Sequence, residues 1–433
     1  MSELAQSAPE LARTPVDIFH SYLGVFLVAF LVTLLVTPLM RRLAIRNGVI
    51  DRPDDPRKAH RIPVAYLGGV GVYAGLMAAV LFSYFAPQDL LGGHESVRAL
   101  SPVPISIIVG MTIIMFLGVL DDVVGIDPRL KIAGQLIAAA ALASEKMGTN
   151  VAKGILGPIG RFLGNEDLVF MIPLPFIQGE YQLELMYWVG TAIIAFFVLG
   201  FCNASNLIDG LDGLLSGVTS IAAAGFLFIA IGMAVSDSGP LDSARLVLCM
   251  GLLGACMGFL PHNFNPASIF LGDAGSLLLG FVSVVVILSM GDTGQTPLVV
   301  AGMIIYAIPI IDTILAIFRR KLAGKPISAA DDQHLHHMLK RSLGVKGAVL
   351  VMYALGGVFA SLGVLVTLGR ARDSYTLAIV AVSFIGVTAI KVARRQAIER
   401  DAADRLGLSR PGTLPTKPHT AAPTKASDEP AHV

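Results

Sequence analysis

The sequence predicts an all-α integral membrane protein: a polytopic bundle of about eleven transmembrane helices with a polar site on its cytoplasmic face. Three observations carry that expectation. The chain of 433 residues is 54% hydrophobic and 15% charged, with a mean hydropathy of +0.72, whereas soluble domains carry about 25% charged residues. Its 45 glycines suit closely packed membrane helices. Apolar runs near the ~20 residues needed to cross a bilayer recur from end to end.

These runs lie near 20–40, 66–86, 102–120, 130–147, 186–202, 213–235, 243–261, 274–290, 297–317, 346–368 and 374–391, with 130–147 and 186–202 the shortest. Loop charge sets their orientation, because Lys and Arg are retained on the cytoplasmic side. Arg41, Arg42, Arg46, Arg52, Arg57, Lys58 and Arg61 follow the first run, and Arg319, Arg320, Lys321, Lys325, Lys340 and Arg341 follow the ninth. Loops of the opposite parity hold only Arg98, then Lys153 and Arg161, then Arg370 and Arg372. Residues 1–19 are therefore expected outside, and every odd-numbered span ends in the cytoplasm. Tyr187 and Trp188 open the fifth span, where amphipathic rings favour the interface.

The start, "MSELAQSAPELARTPVD", lacks the basic segment of a cleavable signal, so the chain is expected to be retained whole. Residues 148–185 read as a long outer loop, part re-entrant or interfacial. Residues 20–395 form the membrane domain, and 396–433, rich in Pro, Thr and Ala, read as a disordered cytoplasmic tail. A net charge of +1 gives no reason to expect nucleic acid as a partner. Cys202, Cys249 and Cys256 all sit in apolar runs and read as packing residues.

The polar clusters fall at 51–61, 120–131, 203–213, 262–276 and 330–341, after spans one, three, five, seven and nine. All five thus face one side, which points to a single composite site, since ionisable groups at a membrane are costly and default to function. In "NASNLIDGLDG", Asn203, Asn206, Asp209 and Asp212 are three apart and trace a slanting helical stripe. Gly210 and Gly213 would let a ligand or another backbone approach. The plainer alternative is a helix-ending turn.

Asp121 and Asp122 are adjacent, so on a helix they point about 100° apart and can serve different partners. Lys131 suits either a phosphate or a positive-inside anchor. Asp273, alone between apolar segments, suits a divalent cation or a helix cap. Phe270 suits base stacking or a membrane edge, and Asn263 and Asn265 suit a ligand or a turn. In "HLHH", His334 and His337 share a helical face while His336 points elsewhere, with no cysteine nearby. That spacing argues against zinc and leaves anion or sugar binding, or a solvated loop. Asp312, inside the ninth span, fits a structural or a catalytic role equally. Carboxylates holding Mg²⁺ against a diphosphate, with cations beside them, are the parts of phosphoryl transfer.

The segments "RKAHRIP" with Gly68–Gly69, "GVLDDVVGIDPRLK", "NASNLIDGLDGL", "FNPASIFLGDAGS" and "DDQHLHHMLK" resemble the polyprenyl-phosphate N-acetylhexosamine-1-phosphate transferases. They occur in that family's order from residue 57 to about 344. The resemblance implies a UDP-N-acetylhexosamine donor, a polyprenyl phosphate acceptor in the lipid bilayer, UMP as product and Mg²⁺ (with Mn²⁺ as substitute) as cofactor. It implies a multi-pass protein of a bacterial inner membrane that starts a cell-envelope glycan (cell wall or lipopolysaccharide), and it leaves open the glycan made and whether the protein is a homodimer.

By motif match, Asp121 and Asp122 would act on the lipid phosphate, and Asp273 with Asp122 would hold the metal. Lys131, Asn203, Asn206, Asp209, Gly210, Leu211, Asp212, Asn263, Phe270, His334, His336 and His337 would meet the nucleotide sugar. Lys58, His60 and Arg61 would serve the lipid phosphate or its loop. The histidines resemble the branch that transfers N-acetylglucosamine 1-phosphate. Ala65 and Tyr66 stand where relatives often have Pro and Arg, and Asp332 where a basic residue is common. Rival readings are the same fold on another UDP-amino sugar (N-acetylgalactosamine or muramoyl-pentapeptide) and a secondary transporter. The transporter fits poorly with polar groups gathered at one face and no repeat between halves.

Overall fold

Thr14 starts the first helix as an N-cap, accepting from Asp17 N–H while the Asp17 carboxylate accepts from Thr14 N–H. The computed structural model describes residues 14–52, 63–85, 103–173, 180–322 apart from 237 and 240, then 324, 334–369 and scattered helical positions to 405. Expectations on 1–13, on Lys58, His60, Arg61, Lys325 and Asp332, and on the span 374–391 and tail 396–433 as wholes fall outside the described residues.

Helix α1 (Pro15–Arg46) runs 32 residues, about 48 Å at 1.5 Å per residue, well beyond the hydrocarbon thickness. Val25, Ala29, Thr33 and Thr37 line its buried face, while Leu27, Leu31, Leu35 and Leu39 are exposed on the other. With lipid as the outer solvent, the large side chains face out and the small ones face the protein. Helix α8 (Asp242–Asn263) uses this: a Cβ at Gly254 or Gly258 would collide with the Phe26 or Phe30 carbonyl, so the two backbones lie in direct contact.

Helices α2 (Gly68–Phe85), α3 (Ile105–Val124), α6 (Leu185–Ile208), α7 (Leu214–Val235) and α9 (Gly272–Met290) complete the inner bundle. From Ala274 to Met290 every residue of α9 is buried. A helix apolar all round belongs at the centre, and α9 packs against α2, α3, α6, α7 and α8. Two short helices, α10 (Thr296–Ile305) and α11 (Ala307–Leu322), meet at a 79° bend around Tyr306. The Tyr306 ring stacks on Phe201 at 5.5 Å, and its hydroxyl is 2.8 Å from Ser205 Oγ. Helix α12 (Leu335–Leu368) breaks at Gly344.

Among the described residues eight helices are long and apolar enough to cross a membrane, nine with the bent pair. Helix α4 (Pro128–Ser144), the expected fourth span, has 17 residues and packs between α3 and α6. The long loop at 148–185 is more regular than expected: helix α5 (Val151–Phe162) and an antiparallel hairpin of β3 (Val169–Pro173) and β4 (Glu180–Glu184). Two further strands, β1 (Ile50–Asp51) and β2 (Val64–Ala65), pair antiparallel after α1. The three cysteines are free and buried.

Candidate active site

The α3–α4 connection is a tight reversal. Gly125 (φ 70°) lets the chain turn after α3, Asp127 caps α4 by accepting from Arg129 N–H at 2.7 Å, and Pro128 occupies the first helical turn. The reversal returns Lys131 to the end of α3, where its Nζ is 3.0 Å from Asp121 Oδ2 and also contacts Asp273 Oδ2. One ammonium therefore bridges two carboxylates from helices far apart in the chain.

Asp122 points the other way, as neighbours on a helix must. Its Oδ1 accepts from Asp273 N–H at 2.7 Å and its Oδ2 from Ala274 N–H at 3.1 Å. This carboxylate caps the N-terminus of α9, where backbone donors are orphaned and the dipole favours negative charge. Gly272 permits the contact: its φ is +66°, and a Cβ there would strike the Asp122 carboxylate. Asp273 does not cap its own helix. Asn206 Nδ2 donates to Asp273 Oδ1 at 2.7 Å and to Ser276 Oγ at 3.0 Å.

The first loop aims this helix start. Ala65 bridges to Ile269 in parallel, Phe270 N–H donates to Ala65 O, and Gly68 and Gly69 N–H donate to the Phe270 and Leu271 carbonyls. The Phe270 ring lies 6.0 Å from that of Tyr66, whose hydroxyl pKa is raised, first by burial and then by Asp51, Asp122 and Asp273.

The polar stripe of α6 separates into distinct tasks. Asn203 turns to α4, donating to Gln135 Oε1 at 2.9 Å and to Leu199 O, away from the carboxylates. Asp212 accepts from Asn265 Nδ2 and Ala267 N–H, while Asn263 accepts from Gly213 N–H and Ser216 Oγ and donates to Ile269 O. Asp212 and Asn263 thus pin the 263–269 loop to the start of α7, and Leu211 is buried beside them. Asp209, just past α6, has no hydrogen-bond partner among the described residues. Burial, then the charges of Asp273, Asp122 and Asp212, push its carboxyl up to about 8.

The histidines arrive from α12. His336 is buried against the 209–213 turn, so close that a Cβ at Gly210 would stand 2.6 Å from its Nε2. His334 stacks on it with ring centroids 5.5 Å apart, and His337 lies 4.3 Å from His336. Sequence reasoning passed over Gly272 and Ser276, although a glycine directly before a lone Asp was the available signal for a crowded helix start.

No three His, Cys, Asp or Glu side chains among the described residues enclose a metal. Mg²⁺ is commonly held by one or two carboxylates together with water and substrate phosphates. Asp273 and Asp121, joined through Lys131, present carboxylate oxygens of this kind at the start of α9. The cluster can gather positive charge and phosphate at one end of the bundle.

Residues 104–291, from α3 through α9, match the family described as Glycosyl transferase family 4. The chain is 32% identical to the probable undecaprenyl-phosphate N-acetylglucosaminyl 1-phosphate transferase of Bacillus subtilis (strain 168), covering 77% of this chain and 82% of the relative. It is 31% identical to the decaprenyl-phosphate N-acetylglucosaminephosphotransferase of Mycolicibacterium smegmatis, over 74% and 76%. It is also 30% identical to the phospho-N-acetylmuramoyl-pentapeptide-transferase of Desulforudis audaxviator, over 78% and 94%. With the bundle, the acidic end of α9 and these relatives in agreement, the chain belongs to the polyprenyl-phosphate N-acetylhexosamine-1-phosphate transferase family of multi-pass membrane enzymes.

Proposed function

We propose that the protein transfers N-acetylglucosamine 1-phosphate from UDP-N-acetylglucosamine to a polyprenyl phosphate of the undecaprenyl type, releasing UMP, at the cytoplasmic face of a bacterial inner membrane. The observation that carries the proposal is the Asp121–Lys131–Asp273 bridge beside the capped N-terminus of α9. Two relatives named for N-acetylglucosamine support the sugar. Such a step would begin the assembly of a cell-envelope glycan.

The bond formed joins an oxygen of the carrier phosphate to the sugar-bearing phosphorus. The bond broken joins that phosphorus to the oxygen bridging to UMP, which departs with the electron pair. Mg²⁺, bound at Asp273 with Asp121 or Asp209, would neutralise charge on the diphosphate. Lys131, whose Nζ lies between Asp121 and Asp273, would meet a phosphate oxygen of the substrates. Asn206 keeps Asp273 in one rotamer, and Asp122 holds the amides of α9 in place. The His334–His337 cluster closes the donor side over Gly210.

Purified protein given Mg²⁺, undecaprenyl phosphate and a panel of UDP-sugars tests the proposal by UMP release. Turnover is expected with UDP-N-acetylglucosamine, with Mn²⁺ able to replace Mg²⁺. Turnover confined to UDP-N-acetylgalactosamine or to a muramoyl-pentapeptide donor would assign the protein to another branch.

A further inference from the structure

Asp312 is a buried carboxylate within the bent α10–α11 pair, and no step above uses it. Both its oxygens are engaged by the start of α12. Oδ2 accepts from His334 Nδ1 at 2.7 Å, and Oδ1 accepts from Leu335 N–H at 2.8 Å. The same carboxylate therefore caps a helix and holds an imidazole. His336 Nδ1 stands 3.7 Å from Oδ2, within ion-pair range of Asp312, and among the described residues neither ring nitrogen of His336 makes a hydrogen bond although the residue is 1% exposed. A buried donor or acceptor left unmatched is costly, and the ring lies directly against Gly210.

We propose that Asp312 is a positioning residue of the transfer site, fixing the HLHH segment against Gly210 and the tautomer of His334. The proposal rests on the reading that the histidines meet the nucleotide sugar. A carboxylate has only acceptors, so the His334 proton must sit on Nδ1. A neutral His334 ring then offers a lone pair at Nε2. A lone pair suits the hydroxyls and the N-acetyl N–H of an amino sugar, whereas a phosphate oxygen would require a donor. Asp312 thereby sets the chemistry on the sugar half of the donor site without touching substrate.

Asp312→Asn separates this role from simple support. Its amide oxygen can still accept from Leu335 N–H, which leaves the NH₂ facing His334 Nδ1 and drives the ring proton to Nε2. In the full-length protein in detergent or nanodiscs, KM for UDP-N-acetylglucosamine should rise about tenfold with kcat within about threefold, the loss of one well-placed hydrogen bond. Inhibition by UMP, which has no sugar, should stay unchanged. In ¹⁵N spectra of histidine-labelled protein, with His334 assigned by its loss in His334→Phe, the proton should lie on Nδ1 in the native chain and on Nε2 in the variant. Adding Asp312→Asn to His334→Phe should raise KM no further.

An unchanged KM in Asp312→Asn, an equal loss of UMP binding, or additive effects in the double variant would overturn the proposal while leaving the donor reading intact. An unchanged KM in His334→Phe would overturn the donor reading, and the proposal with it. Should Asp312→Asn not fold, the native spectrum decides: a proton on Nε2 of His334 overturns the assignment.

Discussion

At the residue scale, the two adjacent aspartates of α3 separate by what they touch. Asp122 holds two backbone amides of α9, so Asp122→Asn turns an N–H group toward one of them. It should lower stability by about 1–2 kcal/mol as well as activity, read as a lower thermal midpoint in detergent. Asp273→Asn keeps the amides satisfied and should retain the native midpoint while turnover falls by about 10³-fold. Equal midpoints for the two variants would refute the capping role. Asp209 is a pH-sensitive member. With its carboxyl near 8 it is mostly neutral at pH 7, and a cation that binds through it must displace its proton. Mg²⁺ affinity should therefore fall by about tenfold per unit below pH 8 and level off above it. Calorimetry in buffers of different ionisation enthalpy should find proton release at pH 7, and Asp209→Asn should reduce that release. None of these partnerships could be read from the chain, because Asp122 and its amides lie 151 and 152 residues apart.

At the element scale, hydropathy located the helices and misjudged their ends. The run at 20–40 became a helix of 32 residues, since α1 continues through polar Arg41, Arg42 and Arg46 once its apolar part has crossed the hydrocarbon. The spacing of the NASNLIDGLDG stripe implied one polar face, but α6 ends at Ile208. Asn203 and Asn206 then sit on the helix, while Asp212 lies in the turn and serves another loop. Packing of α1 on α8 was invisible to charge or hydropathy, because glycine marks it only by what it lacks. Gly258→Val would drive its side chain into the Phe30 carbonyl. The cost should be about 1–3 kcal/mol of overpacking, seen as lower yield of folded protein and a lower thermal midpoint. Leu31→Val, on the exposed face of α1, should change neither.

At the scale of the whole molecule, the structure gathers the described parts of the sequence's polar clusters at one end of the bundle. The starts of α4, α9 and α12 and the ends of α3 and α6 meet there through Lys131, Asp273, Asn206 and His336. The expectation that they share a face needed only the parity of the spans, whereas their mutual distances required the fold. Arg41, at the end of α1, reaches the same region, donating from Nε to Ser268 O at 3.0 Å. Arg319, Arg320 and Lys321 fall in the last turn of α11, the helix that precedes the histidine segment in the chain. Helix α5 and the β3–β4 hairpin occupy the opposite end, between the far ends of α4 and α6. If positive residues mark the cytoplasm, a cysteine at Arg319 must be shielded in intact cells and one at Phe162, 88% exposed, must be open. The three native cysteines are buried and give little background. A membrane-impermeant maleimide should then label Phe162→Cys in intact cells and Arg319→Cys only after permeabilisation. The reverse pattern would place the carboxylates on the outer side, away from any cytosolic nucleotide sugar, and the proposed donor would have to be abandoned.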